Sequence, residues 1–290
     1  MSLIEAIIMG IVQGIAEFLP VSSSGHLAIF KHILKIETDT GMLFDIMLHF
    51  GTLVAIFIAF RSDIKELIVG GFGILGRFFY NIFILLKKVF TKKGEYKKVI
   101  KTDYDRFVML IIVSTIPTGL AGVLFSDVFE KMGESLLITG ICLIITAILL
   151  YIADHCSVGN TTMKDASYKK AGIIGTAQAF AISPGISRSG TTITACLLCG
   201  FTKEFAVKYS FIMSVPAVLG AVVLDIPDLF TSDIESDLII NYVIGTVVAA
   251  IIGYICIITM LKIVKKKKFI GFTVYCAIIG LIAIIANFVL

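Results

Sequence analysis

The chain has 290 residues, 58% of them hydrophobic and 16% charged, with mean hydropathy +0.99 and formal net charge +4. Ordinary globular domains are about 45–50% apolar and about 25% charged, so the composition excludes a soluble domain and points to a polytopic membrane protein. The positive charge lies in Lys-rich loops rather than on one continuous basic face, which argues against nucleic acid as a partner.

In chain order, the first apolar segment is 3–19; it has no basic leader and carries Glu5 and Glu17, so it does not read as a cleaved signal peptide. Pro20-Val21-Ser22-Ser23-Ser24-Gly25-His26 follows, and residues 1–34 read as a helical hairpin broken near Leu19-Pro20. A membrane span needs about 20 mostly apolar residues, and 42–60 is the first to qualify. Segment 67–86 is long enough, but Arg77 and Asn81 lie at its centre and Gly70, Gly71, Gly73 and Gly76 weaken the helix. A central Arg costs about 2.5–3.5 kcal/mol on insertion scales, so this segment reads as an interfacial helix within a cytoplasmic basic region, 61–106. Spans 107–125 and 136–153 follow, then a second broken segment, 171–200, interrupted at Ser183-Pro184-Gly185, and spans 205–224, 239–261 and 270–289.

Loop charges orient these spans. Loop 262–268 carries Lys262, Lys265, Lys266, Lys267 and Lys268, and loop 154–170 carries Lys164, Lys169 and Lys170, which puts both inside. Loop 225–238 has Asp225, Asp228, Asp233, Glu235 and Asp237 without a Lys or Arg, which puts it outside. Segment 171–200 therefore enters and leaves on the inner face and 1–34 on the outer. Broken backbone is tolerated at membrane depth only where protein or water lines it.

The two broken segments also match at a constant offset of 165: Gly10 with Gly175, Gln13 with Gln178, Ser22 with Ser187, Ser24 with Ser189 and Gly25 with Gly190. The expected fold is an all-α polytopic membrane protein with an inverted-topology repeat, six transmembrane helices plus two re-entrant helical hairpins. The first repeat is 1–153 with hairpin 1–34; the second is 171–290 with hairpin 171–200. In such folds the broken segments meet near the midplane and form the site. Helix packing through small residues explains the Gly and Ser, but not Glu17, His26 and Arg188.

Gln13 and Glu17, four apart, share a helical face. Ser22-Ser23-Ser24-Gly25 opens a new helix, as Ser187-Arg188-Ser189-Gly190-Thr191 does in the other half, and helix N-termini are ready anion sites. With the Arg188 guanidinium between them they fit a phosphate or diphosphate. Glu17 and Gln13 are candidates to hold a divalent cation, and Glu17 is equally a candidate base. His26 is open as acid, base or nucleophile. His32, His49 and His155 lack such company and read as structural or interfacial, Asp45 as a cap. The six cysteines read as small buried hydrophobes; Cys196 and Cys199 have CxxC spacing but no second pair, so no zinc site or disulfide framework is expected.

The Gln13-x-x-x-Glu17 pair, the run from Pro20 to His26 and the run from Pro184 to Thr192 resemble the undecaprenyl-diphosphate phosphatase (bacitracin-resistance) family. The likeness extends over nearly the whole chain, including Ile116-Pro117 and Phe211–Pro216. The family pattern allows Glu or Gln at the first position of the pair; Gln13 leaves this chain one carboxylate there. The basic stretch 87–101 is longer than the family's usual connection. The resemblance implies hydrolysis of a C55 polyprenyl diphosphate to the monophosphate, recycling the carrier lipid of cell-wall synthesis, in a bacterial plasma membrane with the site opening to the extracytoplasmic side. It implies a divalent cation, Mg2+ or Ca2+, at Glu17 and Gln13, and Arg188 gripping the diphosphate. Ser23 or His26 would be the nucleophile or its partner, with Ser22, Ser24, Gly25, Ser187, Ser189, Gly190, Thr191 and Thr192 around the phosphates. A homodimer stays open.

A polyprenyl-phosphate flippase or transporter is the alternative, since the architecture alone suits both. The type-2 phosphatidic acid phosphatase pattern fails, because Ser187-Arg188 is followed six residues on by Thr194 where that family needs His.

Overall fold

The computed structural model describes residues 1–290 except 35–40, 92–93, 134, 232–235, 267–268 and 290. The described residues form twelve helices: α1 (Leu3–Phe18), α2 (Ser23–Leu34), α3 (Gly41–Ala59), α4 (Arg61–Thr91), α5 (Asp103–Leu124), α6 (Ser126–Gly133), α7 (Leu136–His155), α8 (Tyr168–Phe180), α9 (Arg188–Leu198), α10 (Lys203–Thr231), α11 (Ser236–Lys266) and α12 (Ile270–Val289). The one β contact among them is a bridge between Thr161 and Phe201.

By length and composition six stretches suffice to cross a bilayer: Arg61–Lys88, Asp103–Leu124, Leu136–His155, Lys203–Val223, Leu238–Val264 and Ile270–Val289. The chain is an all-α, multi-pass membrane protein. Five of these stretches match predicted spans. The sixth is in α4, while Leu43–Ala59 in α3 is a shorter apolar helix.

The polar residues of α4 that argue against a span are partnered. Arg77 donates from Nε to Val99 O at 2.7 Å and from Nη2 to Asp105 at 2.7 Å. Asn81 exchanges two hydrogen bonds with the Lys97 backbone, at 2.7 and 2.8 Å. Asp63 accepts from Tyr104 Oη at 2.7 Å and from Lys208 at 2.6 Å, and a Cβ on Gly70 would lie 3.3 Å from Asp105 Oδ1. Asp63, Gly70 and Arg77, spread over about 21 Å of α4, thus meet two adjacent residues of α5, Tyr104 and Asp105. A helix arranged that way crosses the start of its neighbour rather than running beside it.

Two loop boundaries differ from expectation because the flanking helices continue. Asp225 and Asp228 of the predicted acidic loop fall inside α10, and Lys262, Lys265 and Lys266 inside α11; Asp233 and Glu235, and Lys267 and Lys268, lie outside the described residues. Asp45 is not a cap: it sits within α3 and pairs with Lys31 at 2.5 Å. All six cysteines are free thiols.

Packing is by close helix approach, as expected where lipid removes most of the hydrophobic drive between helices. Helix α1 lies along α11, α8 along α5, α7 along α12, and α3 along both α11 and α10. The first helix of each broken segment therefore packs on a helix from the opposite half of the chain. Glycine permits both contacts: a Cβ on Gly10 would lie 2.5 Å from Gly245 O, and one on Gly175 would lie 2.1 Å from Ser114 O. These are two of the positions matched at the 165 offset.

Candidate active site

Helix α1 is started by a capping box, in which Ser2 Oγ accepts from Glu5 N and Glu5 accepts from Ser2 N. It stops at Phe18 because Pro20 pushes Leu19 into extended backbone, φ −76° and ψ 144°. The chain then turns through Ser22, which has φ +73° and is the only non-glycine residue with positive φ among those described. The second break turns at Gly185, φ +90°.

Each break opens the next helix in the same way. Ser22 Oγ accepts from Gly25 N at 3.3 Å, and Ser187 Oγ from Gly190 N at 3.1 Å. The hydroxyls of Ser22 and Ser24 are 3.4 Å apart, those of Ser187 and Ser189 3.3 Å. The breaks also hold each other: Gly185 N donates to Ser24 Oγ at 3.3 Å, and Ser189 Oγ donates to Leu19 O at 3.3 Å. A Cβ on Gly25 would lie 3.2 Å from Gly185 Cα, and one on Gly190 would lie 3.3 Å from Pro20 Cβ.

Glu17, 5% exposed, sits where they meet. Its Oε2 accepts from Ser23 Oγ at 2.6 Å and from Gln13 Nε2 at 3.1 Å, and its Oε1 pairs with the Arg188 guanidinium. The same Gln13 nitrogen is 3.0 Å from His49 Nδ1, which lies 3.7 Å from Glu17. Glu17, Ser23, Ser24, His49 and Arg188 line a cavity of about 250 Å³ whose other walls are apolar, Ile46, Ile182, Ile186 and Val218 among them.

The expected residues thus separate. Glu17, Ser23, Ser24 and Arg188 face one cavity, with Gln13 behind Glu17. Ser22, Gly25, Ser187, Ser189 and Gly190 build the breaks. Thr192 bonds Arg188 O at 2.8 Å and Ser210 Oγ at 2.6 Å, while Thr191 Oγ1 is buried without a partner. His26 is not brought into the cluster. Its ring lines a different, apolar groove of about 810 Å³ on the other side of the hairpin, between α1, α2, α11 and α12. In its place is His49, which reads in the sequence as structural or interfacial; its one signal there is an ionisable residue within an apolar helix.

A carboxylate within hydrogen-bond reach of a hydroxyl can serve as base to a nucleophile, and a guanidinium on the same carboxylate can swing to an anionic ligand. The donor set also admits a cation. Gln13 Oε1 is buried with no hydrogen-bond partner among the described residues, so Glu17 and Gln13 offer adjacent oxygen ligands. Among the described residues there is no group of three His, Cys, Asp or Glu able to cage a metal by itself. Mg2+ is commonly held by one or two carboxylates plus substrate phosphates, and that pattern suits this pair.

Comparison with known proteins is decisive for kinship: residues 6–282 match the family described as "Bacitracin resistance protein BacA". The chain belongs to that family. Among curated BacA-type relatives, a Methanosphaera stadtmanae protein named undecaprenyl-diphosphatase is 43% identical over 290 residues, covering all of both chains. Proteins of the same name from Halothermothrix orenii and Methanobrevibacter smithii are 38% and 39% identical over 98% and 99% of this chain and 98% of each of their own. The family match includes both breaks, Glu17 and Arg188.

Proposed function

We propose that this chain is a membrane phosphatase that hydrolyses undecaprenyl (C55 polyprenyl) diphosphate to the monophosphate and inorganic phosphate, recycling the carrier lipid of cell-wall synthesis. Family membership and full-length relatives of that name support the activity. The observation that carries the mechanism is the buried Glu17 carboxylate bridging the Ser23 hydroxyl and the Arg188 guanidinium in one cavity.

In this reading Arg188 leaves Glu17 for the diphosphate and holds its oxygens in a fork. Ser23 Oγ attacks the terminal phosphorus as its proton passes to Glu17; the bridging P–O bond breaks and polyprenyl monophosphate leaves. Glu17 passes that proton to the departing monophosphate and is a carboxylate again; water then attacks the phosphoserine, its proton going to Glu17 and on to Ser23 Oγ as the phosphoserine bond breaks and inorganic phosphate departs. A divalent cation on Glu17 and Gln13 Oε1 would neutralise diphosphate charge when bound. Apolar cavity walls suit a substrate whose tail stays in lipid.

The matched offset, the paired breaks and the exchange of α1 and α8 between halves support an inverted-topology repeat with two re-entrant hairpins. Loop charge then supports a site opening on the extracytoplasmic side. It also supports α4 as a cytoplasmic interfacial helix, consistent with its crossing of the α5 start. Labelling of single cysteines at 63 and 95 tests that placement: both are expected on the inner face, and labelling on opposite faces would overturn it.

The test of function is phosphate release from C55 diphosphate by purified protein in detergent, with and without chelator. Release that falls on chelation is expected. No release would overturn the phosphatase reading, since a pure lipid transporter gives none.

A further inference from the structure

We infer that His26 and Tyr275 are positioning residues of this site: together they hold Ser22 in its left-handed backbone conformation, and that conformation aims Ser23 at Glu17. The inference rests on the phosphatase reading only for its kinetic test.

Ser22 has φ +73°, a conformation that residues with a Cβ keep only where their surroundings enforce it. The enforcing contacts are specific. Ser22 O accepts from His26 N at 3.2 Å and from His26 Nδ1 at 2.7 Å. Facing a carbonyl, Nδ1 must carry the ring proton, so Nε2 is the acceptor. Tyr275 Oη, 2.7 Å from Nε2, is therefore its donor. The rings stack at 5.5 Å between centroids and 10° between planes, which fixes the imidazole from α12, 249 residues away in sequence. Both ring nitrogens are committed and His26 is 6% exposed. It has no free nitrogen for attack or proton transfer and lies outside the cavity that holds Arg188.

The second break shows what happens without the clamp. Its positive φ falls on Gly185, its serine equivalent to Ser22 is Ser187 with φ −71°, and Thr191 stands at the offset position of His26. Where glycine takes the turn no histidine is present. Where serine takes it, His26 and Tyr275 are. The residue that follows directly is Ser23, 2.6 Å from Glu17.

A double-mutant cycle tests the clamp. His26→Ala is expected to lower kcat by about 10- to 100-fold, the cost of releasing a strained turn. In the S22G background the same substitution is expected to cost less than about fivefold relative to S22G alone, because glycine adopts positive φ as readily as negative. His26→Asn keeps a donor for Ser22 O and should lie between wild type and His26→Ala; Tyr275→Phe removes one hydroxyl and should cost about two- to fivefold. Equal losses from His26→Ala in both backgrounds would overturn the inference and return His26 to a chemical role. Thermal stability in detergent supplies the same cycle without catalysis: S22G should suppress the fall in Tm caused by His26→Ala. If wild type releases no phosphate, the function reading fails while the Tm cycle still decides the clamp; unsuppressed Tm loss sinks it.

Discussion

The two broken segments share a skeleton and divide the chemistry. Their glycines meet opposing helices at the same offset, their serines cap the next helix with matching bonds, and each break holds the other. The equivalent positions 23 and 188 both reach Glu17, one with a hydroxyl and one with a guanidinium. Glu17 itself has Ile182 as counterpart, and Gln178 bonds Thr118 where Gln13 bonds Glu17. The proposed repeat would supply the frame, and the differences within it bring unlike groups to one carboxylate. A symmetric pair of hairpins would have presented two like groups, not a hydroxyl and a guanidinium.

The sharpest break of that asymmetry is Arg188→Ala. Phosphate release is expected to fall by about 1,000-fold or more, with Arg188→Lys recovering little because a point charge lacks the fork. Near-normal turnover in either variant would remove Arg188 from the site. Glu17→Gln should lower kcat by about 100- to 1,000-fold. It also leaves the part-buried guanidinium without its counter-charge, so Tm in detergent should fall as well; an unchanged kcat would show that another group accepts the proton. Where the halves are alike, their variants should be alike: Gly10→Ala and Gly175→Ala each force overpacking worth about 1–3 kcal/mol, and comparable Tm losses are expected. A large loss at one and none at the other would contradict the shared role. The smallest expected effect separates the two glutamines. Gln13→Glu sets a second carboxylate beside Glu17 and should shift the half-saturating Mg2+ concentration by about tenfold, whereas Gln178→Glu should leave that titration unmoved. Equal shifts would place the cation elsewhere.

Much of this was legible in the sequence because it rests on local rules. Proline ended α1, serines opened α2 and α9, apolar length marked the spans, and the 165 offset paired the breaks. Contacts made only by packing were not legible. His49 reaches Gln13 across 36 residues because α3 lies against the hairpin, and nothing beside it in sequence signals this. His26 shows the opposite: it lies two residues after the serines, yet its ring bonds Ser22 O and the Tyr275 hydroxyl and lines the apolar groove instead. The reading of 61–106 needed the partners of Arg77 and Asn81, which come from residues 97–105 folding back along α4.

The ion pair between Glu17 and Arg188 has a consequence for selection among lipids. The carboxylate of Glu17 neutralises the guanidinium from within and so weakens its pull on anions. A head group gains entry only by outbidding a carboxylate for the guanidinium. In the proposed reaction a diphosphate brings more charge to that exchange than the monophosphate left after cleavage, which faces the same internal competitor. In the proposed reaction the resident carboxylate therefore competes for the guanidinium twice, with the substrate as it enters and with the product as it leaves.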